Sequence, residues 1–206
     1  MTLTLVTSNP VPTSGPISLT TCAGDPVPDS DIHHLGSEIS ALKTSAGTLK
    51  LRAQNLFNNV NSALPDDIKG ALPGVTSVMI PEFPVGLSSD DSLTVGEWME
   101  QRLANWSAVA AYYNKSVNLQ NCLTVNRPGL MEAKNSVIEQ LGDLFSTSLL
   151  QTLNCSTPAQ TTVAPDSQCE TWYSLAFDYL ISNHTIAFAE HLIQQCDRIE
   201  VDIGNN

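Results

Sequence analysis

Basic residues are scarce in this 206-residue chain: nine Lys and Arg stand against 21 Asp and Glu, for a net charge of −12 and a pI near 4.4. A surface of that sign repels phosphate backbones and anionic lipid, so nucleic acid is excluded as a natural partner and a basic protein partner is favoured. Acidity also serves simple solubility. Long apolar runs are missing; none approaches the roughly 18 residues a membrane-spanning helix needs, so no membrane insertion is expected. Motifs that carry chemistry are missing as well. There is no C-x-x-C pair, no glycine-rich phosphate loop, no G-x-S-x-G and no H-E-x-x-H. Glu97, Glu100, Glu132 and Glu139 have no His three residues later, which di-iron bundles require. His33 and His34 are adjacent, hence about 100° apart around a helix, and His184 and His191 lie two turns apart. No enzyme, catalytic residue, metal site or cofactor is expected.

What is present is helical periodicity. Between Asp31 and Ala63 the apolar residues Ile32, Leu35, Ile39, Leu42, Ala46, Leu49, Ala53, Leu56 and Val60 alternate steps of three and four. That spacing predicts one helix face on a continuous core, along a helix roughly 43 Å long. This is helix A, 31–63, with Asp29, Ser30 and Asp31 offering oxygens and negative charge to its first amides. Residues 1–28, rich in Thr, Ser and Pro, read as a disordered tail anchored only at Cys22. From 64 to 93, Pro65, Pro73, Pro81 and Pro84 with Gly70, Gly74 and Gly86 exclude a long helix. A connection of that length can return along helix A and start the next helix at the same end.

Helix B, 94–120, opens on the capping box Thr94-Val95-Gly96-Glu97 and carries Met99, Leu103, Trp106, Ala110, Tyr113 and Val117. A short link leads to helix C, 128–153, with Pro128 in its first turn and Leu130, Val137, Ile138, Leu141, Leu144, Phe145, Leu149 and Leu153 on its face. A second long connection precedes helix D, 168–199, along Trp172, Leu175, Tyr179, Ser182, Ile186, Ala189, Ile193 and Cys196. Ala176, Leu180, Phe188 and Leu192 flank that line, so D should be the most buried helix. Residues 201–206 read as a frayed acidic tail. The expected fold class is all-α: one domain over 29–200, a long-chain four-helix bundle, up-up-down-down with two long crossover loops.

Five cysteines fall mostly at helix ends or in connections, which points to disulfides and an oxidising, extracellular compartment; five reduced thiols in a cytosolic protein is the alternative. The expected topology pairs Cys122 with Cys169 and Cys22 with Cys155, leaving Cys196 buried and free. An up-down-up-down bundle instead brings Cys22 near Cys122 and Cys155 near Cys169. Glycosylation sequons stand at Asn105, Asn114, Asn154 and Asn183, about as many as the composition produces by chance, with Asn105 off the apolar line of helix B and the most accessible candidate. Met1–Val6 is too short for a signal peptide, so either a leader is missing from this chain or export proceeds without one. Trp172-Tyr173 is the candidate binding feature: with Trp172 on the core line, Tyr173 is rotated outward beside Glu170, as an aromatic anchor for a protein partner.

The layout from about residue 30 to 197 resembles the long-chain helical cytokines of the interleukin-6 type, in the branch with ciliary neurotrophic factor, cardiotrophin and cardiotrophin-like cytokine. Three stretches carry the resemblance: Ile80-Pro81-Glu82-Phe83-Pro84-Val85-Gly86-Leu87 in the first crossover, Val95-Gly96-Glu97-Trp98-Met99-Glu100-Gln101-Arg102-Leu103 opening helix B, and Glu170-Thr171-Trp172-Tyr173-Ser174-Leu175 opening helix D. The resemblance implies a secreted signal that brings cell-surface cytokine receptor chains together, without catalysis. It implies one receptor surface on helices A and C, one at the tip formed by the start of D, and one at the end of the first crossover with the end of D. At the tip the branch uses a Phe-x-x-Lys pair; Ser167 with Glu170, or Gln168 with Thr171, occupy those positions here and do not match it. Glu170, Trp172 and Tyr173 are therefore the tip residues expected to bind receptor. The competing expectation is an extracellular amphipathic bundle that binds lipid or coats hydrophobic surfaces by opening.

Overall fold

The computed structural model describes residues 17–81, 83–84, 93–119, 128–159, 161–163 and 170–204. Over these residues the protein is all-helical: α1 (Asp29–Ala63), α2 (Asp66–Met79), α3 (Val95–Leu119), α4 (Pro128–Gly142), α5 (Thr147–Thr152) and α6 (Thr171–Gly204). The apolar line of α1 from Leu35 to Val60 is buried throughout, and Ile32 is half-buried at its start. Its burial is what keeps a 35-residue helix formed along the core, since intrinsic propensity alone is a weak force at any length.

Polar side chains at the margins of α1 fix its neighbours. Lys43 bonds Asp197 at 2.5 Å and Glu200 at 2.8 Å, and Lys50 meets Glu190 at 3.0 Å, so contacts descend α6 as they ascend α1. On the other side Arg52 donates to the Ser136 carbonyl (2.7 Å) and Glu139 (3.0 Å), while Ser146 donates to Glu38 (2.5 Å). The chain of α4 and α5 is thus also antiparallel to α1. α3 packs against α6 and α4: Trp98 donates to Gln195 at 2.5 Å, and Trp106 donates to the Leu141 carbonyl at 2.7 Å. The capping box is present, Thr94 Oγ accepting from the Glu97 amide (3.2 Å) and Glu97 accepting from the Thr94 amide (2.8 Å).

Several boundaries differ from the sequence expectation, each for a local reason. The stretch after helix A does hold a helix, α2, although Pro73 lies inside it. Pro73 removes only the bond to Lys69, and the spacing of Ile68, Leu72 and Met79 still gives a face that packs on α6. Helix C is two helices. It stops at Gly142, the freed Leu141 carbonyl is taken by Trp106, and Ser146 caps α5 by accepting from the Leu149 amide at 3.1 Å. α6 runs on to Gly204 rather than fraying: Asp202 accepts from the Ile17 amide at 3.0 Å and Ile203 packs beside Gly36. α1 begins at Asp29 after Pro28, with no side-chain cap bond; the Ser30 hydroxyl donates to Asp31 at 3.1 Å instead, and Asp29 and Asp31 place negative charge at the helix start.

Residues 17–28 are not a free tail. Cys22 is bonded to Cys155, with Cα atoms 5.1 Å apart. Beyond that bond, the Val95 amide donates to Ser18, the Gly96 amide to Thr20, and the Cys22 amide to Leu153, all within 2.9 Å. Val27 is buried. This strap therefore gathers the starts of α1 and α3 with the ends of α5 and α6. The disulfide closes a separation of 133 residues, a span for which cross-linking contributes about 2–5 kcal/mol. Residues 1–16 and Cys122 with Cys169 lie outside the described residues.

Gly96 is where the strap is tightest. A Cβ there would overlap the backbone of Thr21 and Cys22. In an unencumbered helix Gly→Ala stabilises by about 1 kcal/mol, but backbone cannot retreat as a side chain can, so overlap outweighs propensity. Gly96→Ala should lose about 1–3 kcal/mol in urea unfolding; a rise in the unfolding midpoint would show that the strap is not in close contact with α3.

Candidate functional site

The start of α6 is the candidate surface, and its side chains lie differently from the expectation. Trp172 is 42% exposed and its indole N–H donates to the Glu170 carboxylate; Tyr173 is buried. Exposed and buried roles are therefore exchanged between the two. The cause is that the core face at the start of α6 is centred on Tyr173, Ala176, Phe177, Leu180 and Ile181, so of the expected line Trp172, Leu175 and Tyr179 only Leu175 is buried. A helix apolar on most of its circumference does not orient itself by periodicity, and a charged residue is buried among its apolar ones.

That residue is Asp178, fully buried, with its carboxylate 2.9 Å from the fully buried ammonium of Lys134. Ser116 donates its hydroxyl to Asp178, and Lys134 donates to the Ser116 carbonyl at 3.1 Å. Three helices, α3, α4 and α6, each contribute one member. Burial pushes the Asp178 carboxyl above its ordinary value, against the pull of Lys134 and Ser116 in the other direction. The sequence reading missed this network. Lys134 sits at a core-spaced position between Leu130 and Val137, and Asp178 interrupts the run Leu175 to Ile181, so the signal was a charge inside each apolar line.

Above the network the rings form a continuous support. Trp172 meets Tyr173 edge-on at 5.8 Å, Tyr173 stacks on Phe177 at 6.5 Å, Phe177 contacts Tyr112, and Tyr112 contacts Phe83, between α2 and α3, at 5.2 Å. Lys115 lies 5.3 Å over the Phe177 ring. The exposed indole is thus mounted on buried aromatic rings, which leaves little side-chain freedom to lose on binding.

The remaining candidates take these positions. Cys196 is buried and free, and burial pushes its thiol to about 12, which leaves it unreactive at neutral pH. Asn114, Asn154 and Asn183 are exposed, whereas Asn105 is half-buried, so Asn105 is not the most accessible sequon. His34 bonds Ser148 at 2.9 Å, and among the described residues no group of three or more His, Cys, Asp or Glu is placed to hold a metal. No helix of the described residues is long and apolar enough to cross a membrane.

Comparison with known proteins finds no matching family model, no matching curated protein and no matching solved structure. The surface must therefore be argued from its own chemistry.

His184, 5.5 Å from the Phe83 ring, has its pKa lowered by burial, and His191 is lowered by burial and by the charge of Arg102. A folded-state pKa below the unfolded value means that the unfolded chain takes up the proton first as pH falls. The contribution is complete above the ordinary histidine value and is lost as pH drops through it. The urea midpoint should fall between about pH 7.5 and about pH 5.5, and His184→Phe should reduce that fall; an unchanged slope in the variant contradicts the assignment.

Proposed function

We propose that this protein is a secreted helical signal of the interleukin-6 type, built as a long-chain four-helix bundle with up-up-down-down connections and two long crossovers, and acting by bringing receptor chains together at the cell surface. The single observation that carries the topology is the strap: the starts of α1 and α3 and the ends of α5 and α6 meet at residues 17–27. Parallel α1 and α3 joined through a long connection are what that reading needs. The Cys22–Cys155 bond supports an oxidising, extracellular compartment. Exposed Trp172, supported by Tyr173 and Phe177 and ringed by Glu170, suits a protein-binding anchor, and the acid excess suits a basic receptor surface. The tip reading now rests on Trp172 and Glu170, with Tyr173 as the support beneath them.

A bundle that opens on lipid is the competing reading. The buried Lys134–Asp178 pair opposes it, because separating α4 from α6 strands a charge in an apolar interior. Labelled protein is expected to bind responding cells saturably, and Trp172→Ala to weaken that binding about tenfold or more while stability changes by less than about 0.5 kcal/mol. Lipid-dependent helicity with no saturable cell binding would overturn the proposal.

A further inference from the structure

Arg102 on α3 is 1% exposed, and its Nε, Nη1 and Nη2 atoms have no hydrogen-bond partner. His191 on α6 has a buried Nε2 in the same condition. The two groups face each other. Trp98 is bonded to Gln195, and further along Ser116 is bonded to Asp178, so the antiparallel register sets Arg102, one turn on from Trp98, opposite His191, one turn back from Gln195. The charge of Arg102 is felt at His191.

A buried guanidinium without a counter-charge is strongly unfavourable, and unsatisfied buried polar atoms in native proteins are few, a bound water or ion being one of the explanations they call for. The carboxylates of these two helices are committed elsewhere or face solvent. Glu97 closes the capping box, Asp178 pairs with Lys134, Glu190 pairs with Lys50, Asp197 and Glu200 pair with Lys43, and Glu100 is exposed. Burial draws the Arg102 guanidinium down to about 10, which still leaves it positive at neutral pH. Water can accept from these N–H groups but cannot neutralise them.

We propose that Arg102 and His191 form a buried site for a small inorganic anion of halide size, seated between α3 and α6. The guanidinium supplies the charge and a fork of N–H donors, and the imidazole donates from Nε2. Halide size is the choice that asks for least room, because Arg102 and the His191 Nε2 are already buried between the helices. The anion joins α3 to α6 one turn in from the Trp98–Gln195 bond, where no described side chain supplies the counter-charge. Selectivity arises from burial: the net charge of −12 repels anions from the outer surface, so only a desolvated cation retains one.

The test is thermal unfolding of the full chain with chloride exchanged for gluconate at constant ionic strength. Chloride should raise the melting temperature of the parent protein by several degrees. Arg102→Met should abolish that response and melt no lower than the parent in gluconate, since it removes an uncompensated charge. An equal chloride response in both proteins, or none in the parent, overturns the site. Crystals of the parent grown in bromide provide the readout should the variant fail to fold: one anomalous peak between Arg102 and His191 is expected, and its absence is contradictory.

Discussion

The contact between the Lys134 ammonium and the Asp178 carboxylate is the constraint on which the rest of the structure depends. Both groups are fully buried, and withdrawing each from water costs several kcal/mol, which their attraction offsets only while the geometry holds. Ser116 completes the arrangement from a third helix. Sliding α4 or α6 by one turn, about 5.4 Å, would leave two bare charges among apolar side chains. Apolar faces tolerate such slips far better, since one leucine replaces another. The pair therefore selects one mutual register of α3, α4 and α6, and net stability comes from the apolar burial around it.

What is built on that register lies at the two ends. Toward the start of α6, Phe177 precedes Asp178 and carries Tyr173, and beyond it Trp172 reaches solvent, so the orientation of the exposed indole is inherited from the buried carboxylate. Toward the opposite end, the same α3–α6 register brings Trp98 to Gln195 and sets Gly96 under the strap. The strap then ties four helix ends through backbone amides and one disulfide. Tip and strap are thus coupled through the helices rather than through each other.

The legibility of the sequence follows from how each element is specified. α1 has one apolar stripe and a polar remainder, so its burial could be read residue by residue. The capping box of α3 was equally plain, because two side chains three positions apart define it. α6 was legible as a helix but not in rotation, because apolar residues surround it and periodicity alone does not choose among its faces. α2 was missed because Pro73 was read as a helix breaker, whereas one lost backbone bond is affordable when Leu72 and Met79 are buried beside it. Of the strap only the Cys22–Cys155 anchor could be read, since most of its other bonds join backbone amides and carbonyls and carry no side-chain signature.

A double-mutant cycle at Lys134 and Asp178, read by urea unfolding, tests the central claim most directly. Lys134→Met and Asp178→Leu should each cost about 3–5 kcal/mol, because each strands the other charge. Together they should cost far less than the sum, leaving a coupling of several kcal/mol. Small and additive losses would contradict the account, and would mean that the register of the three helices is held by apolar packing alone.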